Sequence, residues 1–304
     1  MNTTTYHPFL SEEARETYLA FYDEMARQWP IPSETMMVPT AYGQTFVRVS
    51  GPVDAPPLVL LHGAGSTSLV WRFNIETLAQ HHRTYAIDSL INTGCVGRSI
   101  YTRPITNGDE SSAWLNDVFN HLGLANNISL LGASYGGWIA SQYALRHVDR
   151  LHRAVWVAPA GTVLPFGEEY LHRSMSLYMS PSPETFKDFF SWTLNDFLRK
   201  QPEMLDAIVD EFVLTMQSFV PPNPQEVPTL TILSDAELQR ITTPTLFLIG
   251  ENDVVFSASA ASAIERLHTV APQIATYLVP DAGHDVLIAQ TELVNQKISD
   301  FLIK

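Results

Sequence analysis

The chain has 304 residues, of which 45% are hydrophobic and 16% are charged, a composition typical of a folded globular protein with a sizeable core. Its formal net charge of −14 disfavours binding to nucleic acid or to an anionic membrane, whereas a neutral or apolar small molecule would not be repelled. The single cysteine excludes an intrachain disulfide framework, and no apolar run approaches the roughly 20 residues that a membrane-spanning helix needs.

The N-terminal residues 1–34 are predicted to form a helical extension. Residues 1–10 are polar and lack the basic and apolar segments of a secretory signal, so we expect a cytoplasmic location. Ser11 suits the N-cap of an amphipathic helix over 11–30, which Pro30 is expected to end.

The remainder of the chain alternates strand-like and helical segments. Residues 35–40 and 44–50 are expected to pair as a hairpin-like start. Continuous apolar runs then recur at 57–62, 83–88, 128–132, 154–158, 245–250 and 275–279. Helical stretches separate most of them, notably 111–123, 136–147, 257–270 and 286–303. Strands alternating with helices predict an α/β fold, with a mostly parallel central sheet and helices on both faces.

One long segment, residues 165–230, interrupts this alternation because it contains no strand-like run. Apolar residues at helical spacing form two stripes, which are Phe186, Phe189, Phe190, Leu194 and Phe197 behind Pro183, and Met204, Leu205, Ile208, Phe212, Met216 and Phe219. We interpret the segment as an inserted helical cap. The predicted organisation is thus an extension (1–34), a core (35–160 and 236–304) and a cap (161–235).

A G-x-S-x-G motif, Gly132-Ala-Ser134-Tyr-Gly136, lies between the run at 128–132 and the following helix. A serine on such a tight strand-to-helix turn exposes its hydroxyl above the sheet, and the glycines remove side chains that would clash there. An ordinary glycine-rich turn is the alternative, which the position between a strand and a helix disfavours. The motif therefore predicts Ser134 as a nucleophile.

A serine nucleophile needs a base, and the base needs an orienting carboxylate. His284 follows the last strand-like run on a short turn, and Asp253 follows the preceding run. Glu251 is the nearest rival carboxylate, but it directly follows the glycine of the turn. Asp285 adjoins the histidine and cannot easily reach its ring. The predicted triad then runs along the chain in the order Ser134, Asp253, His284.

The loop after the first long strand, His62-Gly63-Ala64-Gly65, suits an oxyanion hole. The predicted donors are the backbone N–H groups of Ala64 and of Tyr135, the residue after the nucleophile. We expect His62 to be structural and to pack under this loop.

These motifs, in this order and spacing, resemble those of the α/β-hydrolase superfamily, and within it carboxylesterase-like members with a helical cap. The resemblance covers about residues 35–304. It implies hydrolysis of an acyl compound with no metal and no cofactor. Family members carry a loop reading roughly D-x-x-G-x-G-x-S, which in residues 88–99 is several positions longer, at the expected edge of the pocket.

Other interpretations fit the residues less well. A dinucleotide fingerprint at 63–68 has serine in place of its third glycine, and no zinc-binding motif is present. A non-catalytic ligand receptor of the same fold would not need all three triad residues. Lactonase, thioesterase, C–C bond hydrolase and perhydrolase chemistries need the same triad and stay open. The Phe- and Met-rich cap favours a small to medium, largely apolar ester substrate, although many of these side chains are expected to form the cap's own core.

Overall fold

The computed structural model describes residues 7–91 and 93–303. Residues 1–6 of the predicted extension, Asn92 of the predicted pocket-edge loop and Lys304 lie outside this description. Within the described residues, nine strands form one sheet. They are β1 (Ser33–Thr40), β2 (Gly43–Ser50), β3 (Pro57–Leu61), β4 (Arg83–Ile87), β5 (Ile100–Tyr101), β6 (Ile128–Ala133), β7 (Leu151–Val157), β8 (Thr245–Gly250) and β9 (Ile274–Val279).

The strand order is β1-β2-β4-β3-β6-β7-β8-β9, and β5 pairs with β2. Strand β2 pairs antiparallel with β1, β4 and β5. All other neighbouring strands, in the order β4-β3-β6-β7-β8-β9, pair in parallel. The predicted mostly parallel α/β sheet is therefore confirmed. Because the parallel strands end at one edge, the loops that follow β3, β6, β8 and β9 converge there.

The helices are α1 (Glu12–Ala26), α2 (Ile75–Leu78), α3 (Gly108–His121), α4 (Tyr135–Arg146), α5 (Glu168–Met179), α6 (Pro183–Thr193), α7 (Asn195–Lys200), α8 (Met204–Ser218), α9 (Asp235–Gln239), α10 (Ala260–Val270), α11 (Val286–Ala289) and α12 (Thr291–Leu302). Among the residues that the structure describes, no helix is both long and apolar enough to cross a membrane.

Several predicted helix bounds differ from the structure. Helix α3 spans Gly108–His121 rather than 111–123, and α10 begins at Ala260 rather than at residue 257. Helix α1 ends at Ala26 rather than at Pro30, since a proline disfavours helical backbone at the residue before it. That residue, Trp29, is instead buried, and its indole N–H donates to Ser50 Oγ at 3.1 Å. The predicted helix over 286–303 is two helices, because Gln290 leaves the helical conformation between α11 and α12.

The predicted cap segment is helical, with α5 to α8 inside the fully described range 165–230. The first of its predicted stripes divides into α6 and α7 at Leu194. The N-terminal segment reaches the end of α8, where Leu10 N–H donates to Ser218 O at 2.8 Å. The bounds of the three predicted domains stay a proposal.

Candidate active site

Ser134 lies at the turn between β6 and α4, with φ 49° and ψ −115°, a conformation that non-glycine residues rarely adopt. Such backbone strain of about 1–3 kcal/mol persists only where neighbouring contacts hold it. Here Ser134 N–H donates to Val157 O at 2.8 Å, and its own carbonyl accepts from Ala160 N–H at 3.0 Å. The neighbouring strand β7 and its loop thus hold the serine above the sheet.

The two motif glycines allow the chain to pass closely around this turn. A Cβ at Gly132 would lie 2.1 Å from the carbonyl oxygen of Gly136, and a Cβ at Gly136 would lie 2.2 Å from that of Leu61. Both contacts are with backbone, which cannot rotate away. The sharp turn that exposes the Ser134 hydroxyl therefore depends on glycine at both positions.

The structure brings the three predicted triad residues together. His284 Nε2 lies 2.9 Å from Ser134 Oγ, and His284 Nδ1 lies 3.0 Å from Asp253 Oδ2. Because a carboxylate only accepts hydrogen bonds, Nδ1 carries the proton and Nε2 is free to accept from the serine hydroxyl. The second oxygen, Asp253 Oδ1, accepts from Val255 N–H at 3.0 Å, which fixes the carboxylate.

Glu251, the rival carboxylate, is exposed and does not take this position, whereas Asp253 is buried. Burial alone would lower the pKa of His284, but the charge and hydrogen bond of Asp253, together with the charge of Asp285, raise it above its ordinary value. The ring is therefore a stronger base than an exposed histidine.

The loop after β3 lies directly against the serine. A Cβ at Gly63 would be 3.3 Å from Ser134 Cβ. Tyr135 opens α4, and the first N–H groups of a helix have no acceptor within it. Ala64 and Gly65 line a cavity beside the site, and Gly65 N–H donates to Thr93 Oγ1 at 3.1 Å. The backbone donors predicted for an oxyanion hole thus belong to the two segments that flank Ser134.

His62 connects this loop to the loop after β4. Its Nε2 accepts from Ser89 N–H at 3.0 Å, so Nδ1 carries the proton and donates to Gly63 O at 2.7 Å. Burial lowers the pKa of His62 despite the opposing effects of Asp88 and the Gly63 carbonyl. The neutral ring therefore holds Gly63 in place through the hydrogen bond to its carbonyl.

Asp285 is a site residue whose structural role the sequence did not indicate. Its Oδ2 accepts from Phe197 N–H of α7 at 2.7 Å, and its Oδ1 accepts from Gly283 N–H at 2.9 Å. The carboxylate thus joins the cap to the loop that carries His284. Nearby, Lys200 Nζ at the end of α7 donates to Ala289 O. Sequence spacing could have shown only that an acidic residue follows the histidine.

A cavity of about 330 Å³ extends from Ala64 and Gly65 to the cap helices. Most of its wall is apolar, and part of that wall comes from the two predicted stripes, including Phe190, Met204 and Phe212. Other stripe residues, such as Phe186, are buried inside the cap. The stripes therefore serve both as lining of the cavity and as core of the cap. No cluster suited to a metal ion occurs in residues 7–91 and 93–303.

A mostly parallel sheet with a serine, a histidine and an acid meeting at its carboxyl edge defines the α/β-hydrolase class of fold. The chain matches the Alpha/beta hydrolase family over residues 58–297 and belongs to that family.

Curated relatives from Bacillus subtilis (strain 168) match almost the whole chain. The protein named uncharacterized carboxylesterase nap is 32% identical over 93% of this chain and 91% of its own length. Carboxylesterase YbfK is 31% identical over 97% of this chain and 96% of its own length. The solved structure of naproxen esterase (carboxylesterase NP) from Bacillus subtilis superimposes with a TM-score of 0.85 at 30% identity, covering 96% of this chain and 99% of the other.

Proposed function

We propose that this α/β-hydrolase cleaves carboxylic esters with small to medium, largely apolar groups, through an acyl-enzyme formed on Ser134. The observation that carries the proposal is the continuous path from Asp253 through His284 to Ser134, with separations of 3.0 and 2.9 Å. The names of the relatives support an ester as the substrate. The apolar wall of the adjoining cavity supports apolar substrate groups.

In the proposed reaction, His284 Nε2 takes the hydroxyl proton as Ser134 Oγ attacks the acyl carbon. Backbone N–H groups of Ala64 and Tyr135 donate to the carbonyl oxygen as it becomes negative. His284 then gives the proton to the departing alcohol, and later removes a proton from the water that releases the acid. Asp253 holds the ring in the required tautomer and stabilises its protonated form. No cofactor enters any step.

The decisive experiment measures hydrolysis of nitrophenyl esters of increasing acyl length, with a thioester and a lactone alongside. Ser134→Ala should lower ester turnover by about 10^4-fold or more, because the remaining groups cannot supply a nucleophile. A variant that keeps wild-type turnover would refute the assignment. A much faster reaction of the thioester or lactone would instead replace the ester as the substrate class.

The carboxylate assignment has its own matched pair of variants. Asp253→Asn should lower turnover strongly while the fold stays intact, whereas Glu251→Gln should leave it near the wild-type value. The reverse result would transfer the role to Glu251.

We also propose a cytoplasmic location. The support is that Cys95, the one cysteine of the sequence, is a buried free thiol rather than part of a disulfide framework. Fractionation of cells that express the chain at native levels would test this, since recovery outside the cytoplasmic fraction would contradict it.

A further inference from the structure

Two side chains of opposite charge line the cavity that adjoins residues 62–65, which we call the oxyanion loop. Arg72 comes from the short 3₁₀ helix Ser68–Phe73 between β3 and α2, and Glu211 comes from α8 of the cap. They are the only Asp, Glu, Lys or Arg side chains among the described residues that line this cavity. The rest of the wall is mainly aromatic and aliphatic, so a charged pair here calls for an explanation.

Glu211 belongs to the face of α8 that points into the cavity. That face comprises Met204, Ile208, Glu211, Phe212 and Thr215, which follow the helical repeat. The turn of α8 that contains Glu211 and Phe212 lies close to the oxyanion loop, since a Cβ at Gly65 would lie 3.7 Å from Phe212 Cε2. Glu211 therefore occupies a position where the apolar pattern of the helix would place another hydrophobic residue.

Neither charge has its normal partner. Among the described residues, no group donates a hydrogen bond to the Glu211 carboxylate, and the two side chains do not form an ion pair with each other. Arg72 donates to Leu69 O at 3.1 Å and lies over the ring of Phe73, 4.4 Å from its centre. Placing a partly buried carboxylate in an apolar wall without a partner is unfavourable for folding. A benefit in binding would account for it.

The pKa shifts of the two groups are consistent with a charged pair in an apolar wall. Burial raises the pKa of Glu211, and Arg72 partly offsets this effect; burial likewise lowers the pKa of Arg72, against the opposing charge of Glu211. Each group therefore affects the pKa of the other, although the two side chains form no ion pair. A bound group between them could accept from the guanidinium and donate to the carboxylate at the same time.

We propose that Arg72 and Glu211 form a polar subsite for the substrate, which binds an uncharged group that both donates and accepts hydrogen bonds, such as a hydroxyl or primary amide, on an otherwise apolar chain. This rests on the proposed ester hydrolysis at Ser134. For a terminal carboxylate, repulsion by Glu211 offsets attraction to Arg72, and for a terminal ammonium, repulsion by Arg72 offsets attraction to Glu211. The paired charges therefore favour a neutral polar end.

The test uses nitrophenyl esters of ω-hydroxyalkanoic acids of increasing length, each beside the alkanoate in which a methyl group replaces the hydroxyl. At the length that reaches the subsite, the wild type should prefer the hydroxy ester in kcat/KM. Glu211→Leu should reduce that preference about 10-fold or more, the usual effect of losing a hydrogen bond to a charged group. Asp210→Asn, which changes an exposed charge on the same helix, should leave it unchanged.

A second variant keeps the test decisive if Glu211→Leu does not fold. Glu211→Gln removes the negative charge but keeps the shape of the side chain. The kcat/KM for a nitrophenyl ester with a terminal carboxylate should therefore rise about 10-fold relative to the ester with a terminal methyl group, because Arg72 remains to bind the carboxylate. Equal hydroxyl preference in wild type and variants at every length, or no gain in Glu211→Gln, would refute the subsite.

Nitrophenyl acetate separates failure of the subsite from failure of the proposed function, because its acyl group is too short to reach beyond the oxyanion loop. Normal acetate turnover with no hydroxyl preference would refute the subsite alone. No turnover of any ester would refute the proposed function and the subsite with it.

Discussion

Replacing Asp285 with alanine should loosen the connection between the cap and the loop that carries His284. The Asp285 side chain is buried at 4% exposure, and its two oxygens accept from the backbone N–H groups of Phe197 and Gly283 at 2.7 and 2.9 Å. Alanine would leave both N–H groups without an acceptor. Phe197 of α7 lines the cavity, and Gly283 directly precedes His284. The change should therefore affect both the cavity wall and the position of the histidine.

The size of the effect follows from these two bonds. An unsatisfied buried N–H typically costs about 1–3 kcal/mol, so two of them give about 2–6 kcal/mol. Burial, together with the charge of the neighbouring Asp196, raises the pKa of Asp285 although the N–H groups of Phe197 and Gly283 lower it, so burying its charge has a cost. Alanine removes that penalty, so we expect the lower half of the range, about 2–4 kcal/mol. Asp285→Asn keeps one carbonyl acceptor and should lose about 1–3 kcal/mol.

Urea unfolding followed by tryptophan fluorescence, combined with kcat for a nitrophenyl ester, provides the assay. We expect Asp285→Ala to unfold at lower urea and to lose kcat, because His284 is no longer held by its loop. Asp281→Asn is the control, as Asp281 is an exposed residue of the same loop whose left-handed backbone also suits asparagine. Wild-type stability and kcat in Asp285→Ala would refute the reasoning.

The contacts around the site predict three further outcomes. Asp253→Asn should lower kcat by about 10^4-fold and move the acidic limb of the kcat/KM profile to lower pH, because losing the carboxylate charge lowers the pKa of His284; an unmoved limb would speak against the pairing. Gly136→Ala should lower stability by about 1–3 kcal/mol in urea unfolding, because its Cβ would meet the Leu61 carbonyl, and an unchanged midpoint would contradict the tight turn. Burial raises the pKa of Cys95 to about 12, so the native thiol should resist iodoacetamide at neutral pH and react only after unfolding; rapid native labelling would show that it is accessible.

The sheet could be predicted from sequence because its strands are buried on both faces and therefore appear as unbroken apolar runs. The runs at 57–62, 128–132 and 245–250 correspond to β3, β6 and β8, whose ends carry the proposed site. Residues at the carboxyl ends of parallel strands share one edge of the sheet, so Ser134 and His284 could be placed together although 150 positions separate them. Local sequence patterns were thus enough to place Ser134 and His284 together, because the parallel sheet brings the ends of distant strands to one edge.

The two helical breaks, at Gln290 and at Leu194, could not be predicted from periodic sequence patterns. Gln290 interrupts the predicted C-terminal helix, and its side chain donates to the carbonyls of Pro280 and Asp281 in the histidine loop. Leu194 divides a stripe whose apolar spacing runs on without a break, because apolar periodicity reports which face is buried and not whether the backbone is continuous.

The partners of single polar residues were equally hidden from the sequence. In the sequence, Glu211 could not be distinguished from an exposed acidic residue, and Asp285 could be weighed only as a rival for the triad. Only the packed cap shows that Asp285 faces a backbone amide and that Glu211 faces the cavity. The strand β5 has only two residues, Ile100–Tyr101, too few for any periodic pattern.

The most direct test of the account asks whether one activated serine exists and where it is. Intact-mass measurement after treatment with a fluorophosphonate, followed by peptide mapping, should find a single adduct on the peptide that contains Ser134, and Ser134→Ala should remain unmodified. An adduct on another residue, or a wild-type protein that stays unmodified while it hydrolyses esters, would contradict the account.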